Sequence, residues 1–320
     1  MSRDLDLPQP IASLMEEVDI CITGHISRLP KPVSIILTGP STAGKRVRAL
    51  LTLICGLISG KADPTLVTVA AACELLHLAT LIHDDLIDDH QVRRGHPAVH
   101  TLVSPATTVL IADVILARSL SILIESQNGR IIESTAATLV RISETELRVH
   151  LGEAGRSFSR KEYMDRISDK TASLFATSAA CGASLGGGDD DQCTRLARCG
   201  ELIGITFQIR DDILDYSGGP RFLRQVGADL AAGQVTLPLI LHQERAGMTP
   251  AFTSWIEGDR SSETIETLIA EVHHSGALVA SGEENELYSR QAIEIAAEQP
   301  AGPVRDTLIT LCRYAAERDW

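Results

Sequence analysis

Two copies of one acidic pattern constrain the fold of this chain more than any other feature of its sequence. DDLID occupies residues 84–88 and DDILD occupies residues 211–215, each within an apolar stretch that is typical of a helix. Positions i and i+4 share one face of a helix, so the first and last aspartates of each motif are expected to project together. The sequence therefore predicts two helices that each carry clustered carboxylates.

The rest of the sequence favours a single all-α domain over residues 1–320. Hydrophobic residues make up 44% of the chain but aromatic residues only 3%, which argues against a β-sandwich. Helical periodicity continues between short Gly, Pro, Asn and Asp breaks, without the alternation of a half-buried strand. The chain is longer than a usual domain, but it contains no Ser/Gly-rich or charged linker at which to divide it.

Local signals place several of the helices. Ser159 and Glu162 form a capping-box pattern at the start of one helix. The segment 172–182 is rich in Ala, Ser and Gly, so neighbouring helices can approach it closely, and a central buried helix is expected there. Further helices are expected over about 45–59, about 107–124 and from 131 into the 150s, and the stretch 93–97 is expected to be a loop.

Charge and composition limit the partners and the location of the protein. A formal net charge of −13 argues against nucleic acid, which requires a basic surface. The longest apolar stretch, 66–82, is interrupted by Glu74 and His77 and is shorter than the ~20 residues that span a bilayer. Residues 1–10 are charged where a secretory signal would be apolar, so we expect no transmembrane segment and a cytoplasmic location. The cysteines lack metal-type spacing and are expected to be reduced core residues.

The two acidic motifs are candidate metal sites, because clustered carboxylates repel one another unless cations offset their charge. All-oxygen ligands suit Mg²⁺ or Mn²⁺ rather than Zn²⁺. Mg²⁺ usually keeps several waters and bridges one or two carboxylates to substrate phosphates, so the aspartates imply a phosphorylated ligand. The expected metal ligands are Asp84, Asp85, Asp88, Asp211, Asp212 and Asp215.

Basic residues near the motifs are candidates for binding the phosphates. The planar fork of arginine matches phosphate oxygens, and lysine adds a compact positive charge. The motifs and these residues together favour a phosphate-handling enzyme over a solvated acidic surface. The candidates are Lys45, Arg46, Arg48, Arg93, Arg94, Lys170 and Arg224.

Several short segments occur in an order that is characteristic of one enzyme family. They are GKRVR at 44–48, ELLH at 74–77, HDDLID at 83–88 with RRG at 93–95, KT at 170–171, FQ at 207–208 before the second motif, and TLP at 236–238. With these segments in order over nearly its whole length, the chain resembles the trans-isoprenyl diphosphate synthases of the polyprenyl synthetase family.

The resemblance implies an isoprenoid synthase-type helical bundle around a central cavity, with an acidic motif on each of two facing helices at its mouth. It implies a prenyltransferase that condenses isopentenyl diphosphate with an allylic diphosphate, through ionisation, condensation and elimination. Three Mg²⁺ ions, for which Mn²⁺ can substitute, would hold the allylic diphosphate. The resemblance also implies a homodimer.

Roles for individual residues follow from the same resemblance. The residues that would join the metal ions on the allylic diphosphate are Lys170, Arg93 and Arg224. Those that would bind isopentenyl diphosphate are Lys45, Arg48, His77 and Arg94. The residues that would line the reacting carbons are Thr171 and Gln208.

The diphosphate site departs from the family's pattern at two positions. Arg224 stands where the family usually has a lysine and keeps the positive charge. Gln234 stands where the family usually has a second lysine. The loss of that cation is expected to weaken binding or ionisation of the allylic substrate.

The residues before the first motif predict the length of the product. In the family, the residues four and five positions before the first aspartate help form the floor of the cavity, one helical turn below the metals. Here they are Thr80 and Ala79, which are small, and Leu76 lies one turn deeper. The growing chain is expected to pass this level, which gives a product of C20 or longer.

Three alternatives remain open at this point. A class I terpene cyclase also ionises an allylic diphosphate, but it often shields cations with aromatic rings and needs no isopentenyl diphosphate. A non-catalytic subunit that modulates a partner synthase is supported by Gln234 alone, and the cost of unpaired buried carboxylates argues against it. His83 and His90 flank the first motif, but a histidine–aspartate phosphohydrolase needs further His and Asp ligands at helical spacing.

Overall fold

The fold is almost entirely helical in the part of the chain that the computed structural model describes. The described residues are 7–39, 44–60, 63–93, 95–152, 158–218 and 226–318. Strands within these ranges are confined to an antiparallel pair, β1 (Val92–Arg93) and β2 (His96–Pro97), with Val92 opposite Pro97. The prediction of an all-α protein is confirmed, and the predicted loop at 93–97 contributes to this short hairpin.

The helices follow one another with short connections. Those before residue 126 are α1 (Gln9–Ser27), α2 (Lys31–Leu37), α3 (Val47–Ser59), α4 (Leu66–Ile87), α5 (Val99–Leu102) and α6 (Pro105–Glu125). The next are α7 (Gly129–His150), α8 (Arg160–Ile167), α9 (Ser173–Leu185) and α10 (Asp190–Ser217), with a π-helical turn, Ser168–Ala172, between α8 and α9. The last are α11 (Ala228–Ala231), α12 (Leu237–Ala246), α13 (Pro250–Ile256), α14 (Ser262–His274), α15 (Ala277–Ala297) and α16 (Pro303–Glu317).

The chain forms two compact units. Unit one comprises residues 1–137, 174–200 and 294–310, and unit two comprises residues 138–173, 201–293 and 311–320. The first acidic motif therefore belongs to unit one and the second to unit two.

Helix α3 begins where a side chain from α4 satisfies its first amide groups. Arg46 precedes the helix with a φ of 53°, and its side chain makes no capping hydrogen bond. Instead the backbone N–H groups of Arg48 and Ala49 donate to Glu74 Oε1 at 2.8 and 3.1 Å. An acidic group at a helix N-terminus also interacts favourably with the helix dipole. The buried Glu74 thus sets the start of α3 at Val47, two residues later than predicted.

Helix α4 buries most of its length and ends in the first acidic motif. Asp88 caps its C-terminus, and the Asp88 N–H donates to the Asp84 carbonyl at 2.8 Å, which keeps the i, i+4 relation between the two aspartates. The prediction that its apolar stretch is too short to span a bilayer is wrong, because α4 has 22 residues. Among the described residues, α4 and α6 are long and apolar enough for a membrane span. Of their most apolar segments, 67% and 39% respectively are buried within the protein.

The contact between α3 and α9 depends on glycine. A Cβ atom on Gly182 would lie 2.0 Å from the Thr52 carbonyl oxygen, and one on Gly186 would lie 2.2 Å from the Gly56 carbonyl oxygen. The Thr52 hydroxyl donates across the contact to the carbonyl of Ser178 at 3.0 Å. The small residues of α9 therefore allow a backbone-to-backbone approach, as the sequence predicted.

Aromatic side chains and a polar cap position the elements of unit two. The hydroxyl of Ser159 accepts the N–H of Glu162 at 3.4 Å, so the predicted start of α8 is correct. Tyr163 on α8 lies in the core of unit two together with Tyr216 and Trp255. The indole of Trp255 donates to the carbonyl of Leu230 at 2.9 Å, which anchors the short helix α11. This core supports the inner face of the second half of α10.

Candidate active site

The first acidic motif contains one buried carboxylate that is already paired. Asp85 is 4% exposed, and Arg93 Nε lies 3.0 Å from each of its carboxylate oxygens. His90 Nδ1 lies 3.7 Å from Asp85 Oδ1. Burial raises the pKa of Asp85, but the hydrogen bonds from His90 and Arg93 outweigh it and hold the pKa below its usual value. Asp84 is half-buried and Asp88 is exposed, so the motif presents carboxylates from the core to the surface.

The histidines around this motif pair with single carboxylates. His83 Nε2 lies 3.5 Å from Asp113 Oδ1, and His100 Nε2 lies 3.4 Å from Asp89 Oδ1. Across the described ranges, no group of three or more His, Cys, Asp or Glu side chains is arranged to hold a metal ion. The described residues therefore lend no support to the histidine–aspartate phosphohydrolase alternative, which requires such a group.

The donor set nevertheless fits Mg²⁺ in a particular way. Mg²⁺ is commonly held by one or two carboxylates together with waters and substrate phosphates, and seldom by a cage of protein ligands alone. Carboxylates that line a helix end without converging on one point match that kind of site. The acidic motifs therefore suit a metal ion that arrives with a phosphorylated substrate.

The residues predicted to bind isopentenyl diphosphate are placed near the start of α3 and along α4. Arg48 is buried, with its guanidinium carbon 4.3 Å from the ring centroid of Phe175. Lys45, just before α3, and His77 on α4 are half-buried. Stacking on a ring fixes the plane of the Arg48 guanidinium, which is the group that would meet phosphate oxygens. Arg94 lies outside the described residues.

The second acidic motif is held by a chain of hydrogen bonds. The Thr171 hydroxyl donates to Gln208 Oε1 at 3.0 Å, and Gln208 Nε2 donates to Asp212 Oδ1 at 2.9 Å. The Tyr163 hydroxyl donates to the other oxygen, Asp212 Oδ2, at 2.7 Å. Three residues that the sequence singled out, Thr171, Gln208 and Asp212, are thus brought together in unit two.

Asp212 is costly to ionise in this setting. It is 2% exposed, and burial is the main cause that raises its pKa to about 7. The nearby Asp229 raises the pKa further, while the hydrogen bonds from Tyr163 and Gln208 lower it. Asp215 is also buried, and its Oδ2 accepts the backbone N–H of Asp229 at 3.1 Å. Positive charge brought by a bound cation would stabilise the ionised form of Asp212.

Asp211, the remaining carboxylate of this motif, pairs with Arg318 near the C-terminus. Arg318 Nη2 lies 2.6 Å from Asp211 Oδ1 and donates to the Phe207 carbonyl at 2.7 Å. The guanidinium carbon of Arg318 lies 3.5 Å from the centroid of the Phe207 ring. Arg210 Nε donates to the carbonyl of Arg318 at 2.6 Å. The C-terminal residues are thereby tied to α10 beside the motif.

Lys170 and Thr171 lie in the π-helical turn. Lys170 Nζ is 2.6 Å from Glu146 Oε1 on α7. Such wide turns are uncommon and are often found at functional sites. Gln234 follows α11, and its backbone N–H donates to the Asp229 carbonyl at 2.8 Å. Arg224 lies outside the described residues.

The residues predicted to form the cavity floor lie on α4. Ala79 and Leu76 are buried, and Thr80 is half-buried. The hydroxyl of Thr80 donates to the carbonyl of His77 at 2.9 Å, so its polar atom is satisfied within the helix. What Ala79 and Thr80 present beyond the helix is therefore small and apolar.

Two residues of the site were missed from the sequence. Tyr163 lies seven positions before Lys170, which places it two turns earlier on the same helical segment and was an available signal. Arg318 had no such signal, because nothing in its local sequence connects it to the motif on α10. Both are buried, and both contact an aspartate of the second motif.

Comparison with known proteins gives consistent matches. The family model described as Polyprenyl synthetase matches residues 32–272. Octaprenyl diphosphate synthase of Escherichia coli is 29% identical over 282 residues, covering 87% of each chain. Geranylgeranyl pyrophosphate synthase of Geoglobus acetivorans is 32% identical over 284 residues, covering 86% of this chain and 87% of the relative. The crystal structure of a polyprenyl synthase from Caulobacter crescentus, complexed with calcium and isoprenyl diphosphate, is also similar. It has a TM-score of 0.90 and 29% identity and covers 97% of this chain and 96% of that one.

Proposed function

This chain belongs to the polyprenyl synthetase family and is a trans-isoprenyl diphosphate synthase, and from that premise we propose a product of C20 or longer. The family condenses isopentenyl diphosphate with an allylic diphosphate and depends on a divalent metal. Small residues at 79 and 80 support the product length, because short-chain synthases tend to place aromatic residues there. The matched relatives bear names with different prenyl lengths, geranylgeranyl and octaprenyl. We also propose that the whole chain is one polyprenyl synthetase domain.

We propose that the metal is Mg²⁺, with three ions at the active site and Mn²⁺ able to replace them. The residues that would hold them are Asp84, Asp85, Asp88, Asp211, Asp212 and Asp215. When bound, Mg²⁺ would supply positive charge that stabilises the diphosphate as the allylic C–O bond breaks. The all-oxygen donor set and the buried Asp212 support this choice.

The basic residues would divide between the two substrates. Arg93, Lys170 and Arg224 would bind the allylic diphosphate. Lys45, Arg48, His77 and Arg94 would bind isopentenyl diphosphate. The pairing of Arg93 with Asp85 and of Lys170 with Glu146 supports these roles, because it holds each cation in place before substrate binds.

The reaction requires positive charge that is already fixed beside the diphosphate before the allylic C–O bond breaks. As the allylic C–O bond breaks, negative charge grows on the diphosphate, and fixed cations stabilise it without reorganisation. Thr171 and Gln208 would line the reacting carbons, where the allylic cation alkylates the double bond of isopentenyl diphosphate. The departing diphosphate would take the final proton, so no protein base is required.

The hydrogen-bonded chain from Thr171 through Gln208 to Asp212 carries the residue-level proposal. It joins the residues assigned to the reacting carbons to a residue assigned to the metal. The test incubates purified protein with Mg²⁺, isopentenyl diphosphate and, separately, C5, C10, C15 and C20 allylic diphosphates, with products measured by mass spectrometry. Elongation to a defined length of C20 or more is expected. Failure with every starter in a folded sample, or a shorter product, would contradict the proposal.

Substitutions test whether the acidic motif residues form the active site. Asp85→Asn should abolish elongation, because it removes a carboxylate proposed to hold Mg²⁺. Asp165→Asn is the matched control, since the Asp165 side chain is 58% exposed and pairs with Lys161 on the surface. Dependence on isopentenyl diphosphate also separates elongation from the cyclase alternative. Turnover by the single purified chain would exclude the modulatory subunit.

We further propose a homodimer in the cytoplasm, without a nucleic acid partner and without a transmembrane segment. Exposed apolar residues on α6 support self-association, with Leu110 64% and Ile124 58% exposed. None of the seven cysteines, all of which lie in the described part of the chain, forms a disulfide, which fits a reducing compartment. Leu110→Glu should convert a dimer to a monomer in light scattering, whereas Ile20→Glu on α1 should not. A monomeric wild-type protein would contradict this proposal.

A further inference from the structure

We infer, on the basis of the proposed function, that Tyr163 is a positioning residue that orients the carboxylate of Asp212 for the metal–diphosphate complex. Tyr163 lies on α8 and does not belong to either acidic motif. Its hydroxyl donates to Asp212 Oδ2 at 2.7 Å. It therefore acts through Asp212 and not by touching substrate.

The two donors fix the plane of the Asp212 carboxylate. Tyr163 bonds one oxygen and Gln208 bonds the other, at 2.7 and 2.9 Å. With both oxygens held, rotation about the bond to the carboxylate would break one of the two hydrogen bonds. Each carboxylate oxygen has two acceptor directions, so one direction on each oxygen is left for a cation or a bound water.

Tyr163 is itself held rigidly. It is 3% exposed within the core of unit two, and the Arg166 guanidinium carbon lies 5.7 Å from the centroid of its ring. Arg166 in turn donates to the carbonyl of Val235. A fixed ring delivers its hydroxyl to one position, which is the property required of a group that supports a metal ligand.

A substitution that removes only the buried hydroxyl separates this positioning role from packing. A phenylalanine at 163 would fill nearly the same volume, so packing would be little changed. The change would remove only the donor to Asp212 Oδ2, which is a buried acceptor. Loss of the supporting partner of a metal ligand typically weakens metal affinity roughly 10–100-fold.

The test compares Tyr163→Phe with Tyr216→Phe in the full chain. Tyr216 is equally buried in the same core, but its hydroxyl lies 3.0 Å from Thr236 Oγ1 and not on a motif carboxylate. Calorimetry would measure binding of inorganic pyrophosphate across a Mg²⁺ titration. We expect the Mg²⁺ requirement of Tyr163→Phe to rise roughly 10-fold or more, while Tyr216→Phe stays near wild type.

A double-mutant cycle tests whether the effect passes through Asp212. In an Asp212→Asn background, Tyr163→Phe should cause no further loss of pyrophosphate binding. Equal losses in the two tyrosine variants, or full additivity with Asp212→Asn, would overturn the inference. A wild-type protein that neither binds Mg²⁺ with pyrophosphate nor elongates would instead refute the proposed function.

A second measurement serves if Tyr163→Phe does not fold. Wild-type protein with 3-fluorotyrosine at position 163 keeps both the ring and its hydroxyl. Its ¹⁹F resonance should move when Mg²⁺ and pyrophosphate are added together, whereas the resonance of 3-fluorotyrosine at position 216 should stay. An unmoved resonance at 163, with pyrophosphate binding verified in the same sample, would overturn the inference.

Discussion

Asp212→Asn should stabilise the metal-free protein at alkaline pH while abolishing its activity. The folded protein raises the pKa of Asp212 to about 7, mainly through burial. Between the unfolded pKa of about 3.9 and this value, the folded state holds a proton that the unfolded state has released. The stability contributed by that proton is complete below the unfolded pKa and is lost as the pH rises through the folded pKa.

The magnitude follows from the width of that window. Between the unfolded and folded pKa values, each unit of rising pH lowers the free energy of unfolding of the wild type by about 1.4 kcal/mol. From pH 5 to pH 8, the free energy of unfolding of the wild type should therefore fall by about 3 kcal/mol relative to that of Asp212→Asn. Because Asp212 is 2% exposed, solvent screens little of this cost. Any hydrogen bond lost in the variant affects both pH values alike and cancels from the comparison.

Urea unfolding in EDTA, at pH 5 and pH 8, measures the effect. The stability of Asp212→Asn relative to wild type should be greater at pH 8 than at pH 5. Asp165→Asn, at an exposed position on α8, should differ little from wild type at either pH. If Asp212→Asn has the same relative stability at both pH values, the carboxylate does not carry the cost assigned to it.

Three further substitutions test the product length and the packing of unit one. Ala79→Phe should shorten the product in the mass-spectrometric assay, because an aromatic ring would occupy the proposed floor; an unchanged distribution would contradict the floor assignment. Glu74→Ala should lower the free energy of unfolding by about 2 kcal/mol, since the buried amides at the start of α3 lose their acceptor; no loss in urea would show that another group caps them. Gly182→Ala should cost about 3 kcal/mol or more, because its methyl group would overlap the Thr52 carbonyl. Gly24→Ala on α1 is the matched control, with open space around it and an expected gain of about 1 kcal/mol.

Patterns with a strong local cause were predictable from the sequence. Ser159 and Glu162 marked the start of α8, and the small residues of 172–182 marked a closely packed helix. The acidic motifs predicted helical carboxylates, because spacing along a helix depends only on local geometry. The helical fold and the family were therefore predictable before any tertiary contact was known.

Features that depend on distant partners were not predictable. The start of α3 at Val47 is set by Glu74 from another helix, and periodicity alone placed it at Lys45. Arg318 reaches Asp211 from 107 positions along the chain, as their numbers show. The spacing of Tyr163 from Lys170 was a local signal, but its partner Asp212 on α10 could not be predicted from that spacing. Local patterns carry no information about such pairings.

The π-helical turn at Ser168–Ala172 sets the angle about the helix axis between Tyr163 and Thr171, two side chains of the hydrogen-bonded chain around Asp212. Tyr163 and Thr171 are eight positions apart, and in a regular α-helix such residues point about 80° away from each other. Both nevertheless join the same hydrogen-bonded chain, since Tyr163 donates to Asp212 and Thr171 donates to Gln208. The wider turn, closed by the Ser173 N–H on the Ser168 carbonyl, rotates less per residue and brings them into phase. Deleting Ser168 from this turn would leave both acidic motifs and the Lys170–Thr171 pair intact and still turn Thr171 away from Gln208, so the site is encoded by residue count as well as by residue identity.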